Sequence, residues 1–402
     1  MADDVTGDVT GDVTGDRAQY LTSRMQGFGT TIFAEMSALA VATGSVNLGQ
    51  GFPDTDGPPE VFDEAIAAIR AGDNQYPPGT GVPVLRHAIA AHQRHWYDFD
   101  LDAETEVLVT TGATEAIAAS LLALCEPGDE VVTFEPYYDC YAACIALAGA
   151  ERRVVQLRTP DYAFDADELA RAITPRTRLL LLNSPHNPTG KVFSRAELEL
   201  IARLCVEHDL LAVTDEVYEH LVFDGEHVPL ATLPGMRERT ITISSGGKTF
   251  SCTGWKVGWV CAPPALVSAV TTVKQFLTYV ASAPYQRGVA VGLGLPDERI
   301  GALAAELREK RDRLSDGLAI AGFDVLPSAG TYFVTADIRP LGEHDGLAFC
   351  RSLAERCGVV AVPNVVFYDD VEAGSPFVRF ACCKRLDVID EAATRLKSLR
   401  AR

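Results

Sequence analysis

The sequence predicts an α/β protein: a large domain on a mostly parallel sheet covered by helices on both faces, followed by a smaller α+β domain. Three observations carry this. From about residue 60, near-continuous apolar strands alternate with helix signals. From Pro296 the texture changes to a long charged helix and then short, separated strands. Unusual residues, Gly112-Ala113-Thr114, Asn187, Asp215, Tyr218 and 245–248, follow the large domain's strands directly, and in open parallel sheets ligands sit beyond the carboxyl ends of the strands.

The elements run in order. Residues 1–18 hold the repeat VTGDVTGDVTGD, with Gly and Asp but no apolar stripe, and predict a disordered acidic tail. Residues 19–55 read as an arm that belongs with the small domain, and 56–295 as the large domain. Within it Pro83–Tyr97 is a helix and EVLVT a short strand. TGATEAIAASLLALCEPGDE follows as turn, helix and stop, punctuated by Pro127-Gly128. EVVTFEP, RRVVQL and RLLLLNSP are apolar strands. SRAELELIARLCVEH opens with Ser194 and Glu197 at capping-box spacing. LLAVTDE, TITIS and GWVCAP complete the strands. The small domain, 296–402, has a helix to about residue 321, the strands FDVL, TYFVTAD, VVAVPN and FVRFAC, and a last helix from about 387.

A chain of 402 residues, 47% of them hydrophobic, suits two domains with a sizeable core. Its net charge of -20 argues against nucleic acid or an anionic membrane as main partner, since both demand clustered Lys and Arg. Any anion it binds is therefore met by a local basic pocket. No apolar run approaches the ~20 residues of a membrane span, and no secretory signal is expected. The 10 cysteines show no CxxC or zinc-ligand spacing. They read as reduced, in a cytoplasmic protein without a resident metal.

Five stretches hold chemistry-bearing residues, the first four each with a plainer alternative. TTGATEA puts small residues between a strand and a helix start, which is an anion site or a tight turn. NSPHNPTG is a decorated loop or a polar site at a strand end. In TDEVYEH two acids follow the strand LLAV: either a helix N-cap pair or a buried Asp that needs a cation or ring N–H. Arg379, inside the apolar strand FVRFA, grips an anion or forms a structural ion pair. Two lysines, Lys248 and Lys256, stand in SSGGKTFSCTGWKVGW, a stretch that otherwise reads as buried.

The ordered set LGQGFPD, NQYPP, EPYYDCY, HNPTG, DEVYEH, SSGGKTFSCTGWKVGW and VRFA, spread from about 20 to 400, resembles the fold-type I pyridoxal-phosphate-dependent aminotransferases. The branch most alike holds kynurenine, glutamine–phenylpyruvate, methionine and N-succinyldiaminopimelate aminotransferases. The resemblance implies a seven-stranded sheet and pyridoxal 5'-phosphate as cofactor. It implies a ping-pong transfer of an amino group from an L-amino acid, or N-succinyl-LL-diaminopimelate, to a 2-oxo acid. A cysteine-conjugate β-lyase, or another carbon–sulfur lyase, is the alternative on the same residues. By resemblance Lys248 is the Schiff-base lysine, Asp215 pairs with the pyridine N–H, and Asn187 and Tyr218 donate to the ring's phenolic oxygen. Gly112, Ala113, Thr114, Ser245 and Lys256 surround the phosphate, and Tyr138 stacks on the ring. Arg379 takes the substrate α-carboxylate, with Gly51 and Asn187 at that end. Tyr76 reaches the phosphate of a neighbouring subunit, so a homodimer with shared sites is expected. Cis peptides are expected before Pro136 and Pro188. Many relatives have Arg where this chain has Lys256, a weaker fork but still a point charge. Residues 274–286, KQFLTYVASAPYQ, contain no Arg, which disfavours aspartate as donor.

Overall fold

The computed structural model describes residues 20–29 and 31–401. The predicted tail lies outside these residues. The strands run β1 (Val46–Asn47), β2 (Val107–Thr111), β3 (Glu130–Glu135), β4 (Glu151–Gln156), β5 (Thr177–Asn183), β6 (Leu211–Asp215), β7 (Thr240–Ser245) and β8 (Val257–Cys261). After these come β9 (Asp324–Val325), β10 (Phe333–Asp337), β11 (Val359–Val360), β12 (Val362–Pro363) and β13 (Phe377–Ala381).

β2 to β8 form one seven-stranded sheet in the order β2-β8-β7-β6-β5-β3-β4. Its pairs are parallel except that β8 runs antiparallel to both β2 and β7. β5 shows why an unbroken apolar run suits its centre. Leu179 and Leu181 enter one core cluster and Leu180 and Leu182 another, on opposite faces of the sheet. Each such leucine contributes ~1.5–3 kcal/mol of burial. The helix Arg195–Glu207, beside the second of these clusters, starts at a complete capping box between Ser194 and Glu197.

The other sheets are small. β12-β13-β10-β9 is four-stranded and antiparallel, backed by the helix Asp297–Ala321. β1 pairs with β11 in parallel, so the N-terminal arm is stitched to the C-terminal part of the chain. VVAVPN is therefore not one strand. The chain changes sheets at Ala361, giving β11 to one sheet and β12 to the edge of another. An edge tolerates Pro363, which has no N–H to donate. β1 has only two residues, too few for its pattern to show in sequence. All ten cysteines are free thiols.

Candidate active site

β2, β5, β6 and β7 are mutually parallel, so their carboxyl ends share one edge of the sheet, and a cavity of about 330 Å³ opens there. It is lined by twelve of the thirteen residues singled out from the sequence: Gly51, Gly112, Ala113, Thr114, Tyr138, Asn187, Asp215, Tyr218, Ser245, Lys248, Lys256 and Arg379. The thirteenth, Tyr76, does not line the cavity of its own chain. It is 80% exposed and meets Tyr279 edge-on at 5.4 Å.

Lys248 sits in a single helical turn, Gly246–Thr249, that follows β7 at once. The two glycines before it allow this tight placement. A Cβ on Gly246 would meet Val289 at 2.8 Å, and one on Gly247 would meet the Thr253 backbone at 3.1 Å. The Lys248 Nζ lies 5.7 Å from the ring centres of both Tyr218 and Tyr332. Burial pushes its amine down to about 8; the Asp215 charge opposes this, and Lys256 and Arg379 add to it.

Asp215 ends β6, buried. Its Oδ2 accepts the Tyr141 hydroxyl at 2.6 Å and its Oδ1 the Val217 N–H at 3.4 Å. Burial raises this carboxyl above the usual carboxylate range, while those two donors and Lys248 pull it back. Tyr218 is fully enclosed, and burial raises its phenol well above the ordinary tyrosine value.

The opposite wall is held by Arg379, the middle residue of β13 and only 2% exposed. It donates to Asn187 Oδ1 at 2.8 Å and to the Gly49 carbonyl at 3.4 Å, and its Nε has no partner among the described residues. The rings of Phe333, Phe367 and Phe33 stand 3.9, 4.9 and 5.3 Å from its guanidinium carbon. Burial brings its pKa down to about 10. Asn187 is itself fixed to β5, its N–H donating to Asn183 Oδ1 at 2.7 Å. Gly51 leaves room for this wall, since a Cβ there would meet the Phe333 ring at 2.5 Å. The peptide bonds before Pro136 and Pro188 are cis, as are those before Pro160 and Pro185.

At the third corner the helix Gly112–Leu124 begins directly after β2. Its first N–H groups have no intrahelical acceptor and carry the positive end of the helix dipole. Gly112 has φ +73, and a Cβ there would meet Lys256 Cε at 2.9 Å. Gly258 lets β8 lie flat beneath, because a Cβ on it would strike the Ala113 nitrogen at 2.8 Å. Lys248, Lys256 and Arg379 have no carboxylate within ion-pairing distance among the described residues, and Asp215 is the single acid on the cavity wall.

Several wall residues were given no role from the sequence, Tyr141, Asn183 and Phe33 among them. Tyr141 ends the motif EPYYDCY, and Asn183, which holds the Asp215 carbonyl through its amide at 2.7 Å, opens NSPHNPTG, but neither was assigned a role of its own. Their signals were a second tyrosine one helical turn after Tyr138 and an amide ending a strand of leucines. Phe33 comes from an arm whose pattern gives no reason to place it at a site.

These groups fit pyridoxal phosphate. A buried amine with a depressed pKa suits an aldehyde, a buried acid suits a ring N–H, and a helix start with a lysine suits a phosphate. The orphaned Arg379 Nε is a donor left over for a second anion.

The model of the family described as aminotransferase class I and II matches residues 43–396. The chain is 54% identical over 392 residues to the probable N-succinyldiaminopimelate aminotransferase DapC of Mycobacterium tuberculosis, covering 94% of this chain and 98% of that protein. It is 39% identical over 382 residues to the methionine aminotransferase of Escherichia coli, covering 94% and 98%. The solved N-succinyldiaminopimelate aminotransferase from Mycobacterium tuberculosis superposes with a TM-score of 0.93 at 54% identity, covering 94% of this chain and 100% of that one. Thermus thermophilus aspartate aminotransferase with maleate superposes at 0.87 and 31% identity, covering 94% and 99%. On fold, length and family match together, this chain belongs to the class I and II aminotransferases, pyridoxal-phosphate-dependent enzymes of fold type I.

Proposed function

We propose that this aminotransferase takes its amino group from N-succinyl-LL-diaminopimelate and passes it to a 2-oxo acid, with the cavity residues in the roles below. The observation that carries the reading is Arg379: a buried guanidinium with no anionic partner and one unsatisfied N–H among the described residues, facing a buried lysine across one cavity. A ligand with an α-carboxylate at one end and an amine at the other completes both.

Bound pyridoxal phosphate supplies an aldehyde that captures the amine and a protonated ring that accepts the electrons released when Cα–H breaks. Lys248 would hold the cofactor covalently until the substrate's amine takes its place, and the freed lysine amine, lowered to about 8, would then be the base for the Cα proton. Asp215, kept oriented by Tyr141, would hold the ring N–H. Asn187 and Tyr218 would donate at the ring oxygen, and Tyr138 would cover a ring face. Ala113, Thr114, Ser245 and Lys256 would hold the phosphate, with Gly112 giving Lys256 its room. Arg379, anchored by Asn187, would fix the substrate carboxylate and so aim the Cα–H bond.

The donor is argued from what the wall lacks and from kinship. With Lys248, Lys256 and Arg379 assigned, no further cation among the described residues lines the cavity to grip the short side-chain carboxylate of aspartate. A long donor carries its distal carboxylates out of the cavity. The relative of 54% identity bears the name of such an enzyme. Nothing among the relatives' names favours the carbon–sulfur lyase alternative. The test is a donor panel against 2-oxoglutarate and pyruvate. N-succinyl-LL-diaminopimelate should exceed methionine, kynurenine, glutamine and aspartate by about tenfold or more in kcat/KM. A higher value for any of these would overturn the assignment.

The reading includes a two-fold dimer in which Tyr76 reaches the partner's phosphate site. Tyr76 lies on the surface that holds Asn74–Pro77 and Val280–Pro284 and meets Tyr279, and Tyr76, Tyr279 and Phe276 are all exposed aromatics, Phe276 at 83%. A fully active monomer by light scattering would contradict it.

A further inference from the structure

Residues 215–220 separate two cavities. Asp215, Val217 and Tyr218 line the one already described, whereas Glu219 and His220 line a second of about 290 Å³, with Trp96, Tyr97, Glu226 and His227. The second cavity has no part in the chemistry above, yet it is polar and charged.

We propose that His92, His220 and Glu219 form a binding site for one divalent transition-metal cation of the zinc type. One nitrogen from each imidazole and one Glu219 oxygen lie within 4.8 Å of one another. Two imidazoles and a carboxylate are a donor set that zinc takes, leaving a fourth position for water. The cavity supplies room for that water. The two imidazoles meet Nε2 to Nε2 at 2.6 Å. Two ligands each ~2.1 Å from a tetrahedral ion stand ~3.4 Å apart, so opening the pair by less than ~1 Å admits the cation.

Charge supports the site independently. Glu216 and Glu219 are 3% and 6% exposed, and neither has a Lys or Arg within ion-pairing distance among the described residues. Glu219 is held by the hydroxyls of Tyr97, at 2.8 Å, and Ser244, and Glu216 by Thr214 and His227 at 2.8 Å each. Hydroxyl donors do not neutralise a buried carboxylate, and a divalent cation does. His227, also lining the cavity and buried, leaves its Nδ1 without a partner among the described residues.

The site would brace the catalytic segment from behind. His92 belongs to the helix Pro83–Tyr97, while Glu219 and His220 follow Tyr218, and Ser244 precedes Ser245. A cation joining them ties the strand ends that carry Asp215 and Ser245 to that helix. Its role is positional, since none of its ligands lines the cofactor cavity.

The experiment uses the full-length, cofactor-loaded protein, stripped with EDTA and titrated with Co²⁺ and Zn²⁺. One equivalent of Co²⁺ should give the visible d–d bands of a nitrogen and oxygen site without the near-ultraviolet charge transfer of thiolate ligands. Zn²⁺ should displace it and raise Tm by several degrees at ~100 times its Kd. His92→Gln and Glu219→Gln should each weaken Zn²⁺ at least ~10-fold. No Co²⁺ bands in the wild type, a thiolate spectrum, or unchanged Zn²⁺ affinity in both variants would each overturn the proposal. The wild-type spectrum decides the matter even if a variant fails to fold.

Discussion

The two cavities on either side of residues 215–220 are opposites. One is lined by Lys248, Lys256 and Arg379 against a single acid, Asp215. The other is lined by Glu219, Glu226 and two histidines, with Glu216 paired to His227 close by. Neither fits the chain's bulk charge of -20 in any simple way. A buried charge without a counter-charge is costly wherever it occurs, so its sign indicates what the cavity is built to receive. The first cavity calls for anions, a phosphate and a carboxylate. The second calls for a cation.

The sharpest way to break this contrast is to remove the one acid from the cationic side. Asp215→Asn should keep the cofactor bound while slowing turnover by about 10²–10⁴-fold, because a neutral amide cannot hold the ring nitrogen protonated. Stopped-flow measurement of Cα–H abstraction, with a deuterated donor, checks this; near-normal kcat would remove Asp215 from its role.

Next in size is Arg379. Arg379→Ala should cost about 2–5 kcal/mol in kcat/KM while leaving the cofactor's visible spectrum intact. Arg379→Lys should restore only part, since an ammonium cannot reproduce the planar fork. Comparing an amino acid with its decarboxylated amine isolates the effect. The wild type should prefer the amino acid, and Arg379→Ala should lose that preference.

A smaller effect lies in pH. Only the neutral Lys248 amine attacks an aldehyde, and burial lowers its pKa from the ordinary lysine value to about 8. Capture of pyridoxal phosphate by the apoprotein should therefore rise with pH through about 8 and level off above it. Lys256→Ala removes a nearby positive charge and should move the midpoint upward. A rate flat from pH 6.5 to 9 would deny the depressed amine.

The smallest effect belongs to the second cavity. His92 and His220 titrate at about 4 when folded, below the value of an unfolded histidine. Between those values the unfolded chain takes up protons and the folded one does not, so stability falls as pH drops from ~6.5 towards 4. In EDTA, Tm should decline over that window, and less steeply in His92→Leu. An equal slope in both would show that His92 is not held neutral.

Strand positions and most of the cationic cavity were legible in the sequence because each signal is local. Lys248 stands in a Gly-rich turn, Asp215 ends a buried strand, and Arg379 interrupts an apolar one. The roles of Tyr141 and Asn183 were not, because their motifs do not show what they touch and only the folded sheet brings both to Asp215. The break of VVAVPN into β11 and β12 depends on pairing with β1 and β13, which no local pattern encodes. The histidine pair was not legible, since His220 ends the motif DEVYEH but its partner His92 lies 128 residues away.

The central claim is that Lys248 is the reactive amine and Lys256 an anion holder. Borohydride reduction of the cofactor-loaded protein, followed by peptide mapping, tests it directly. The account predicts a pyridoxyl group on Lys248, in the peptide containing SSGGKTF. A label on Lys256, or on no lysine, would contradict it.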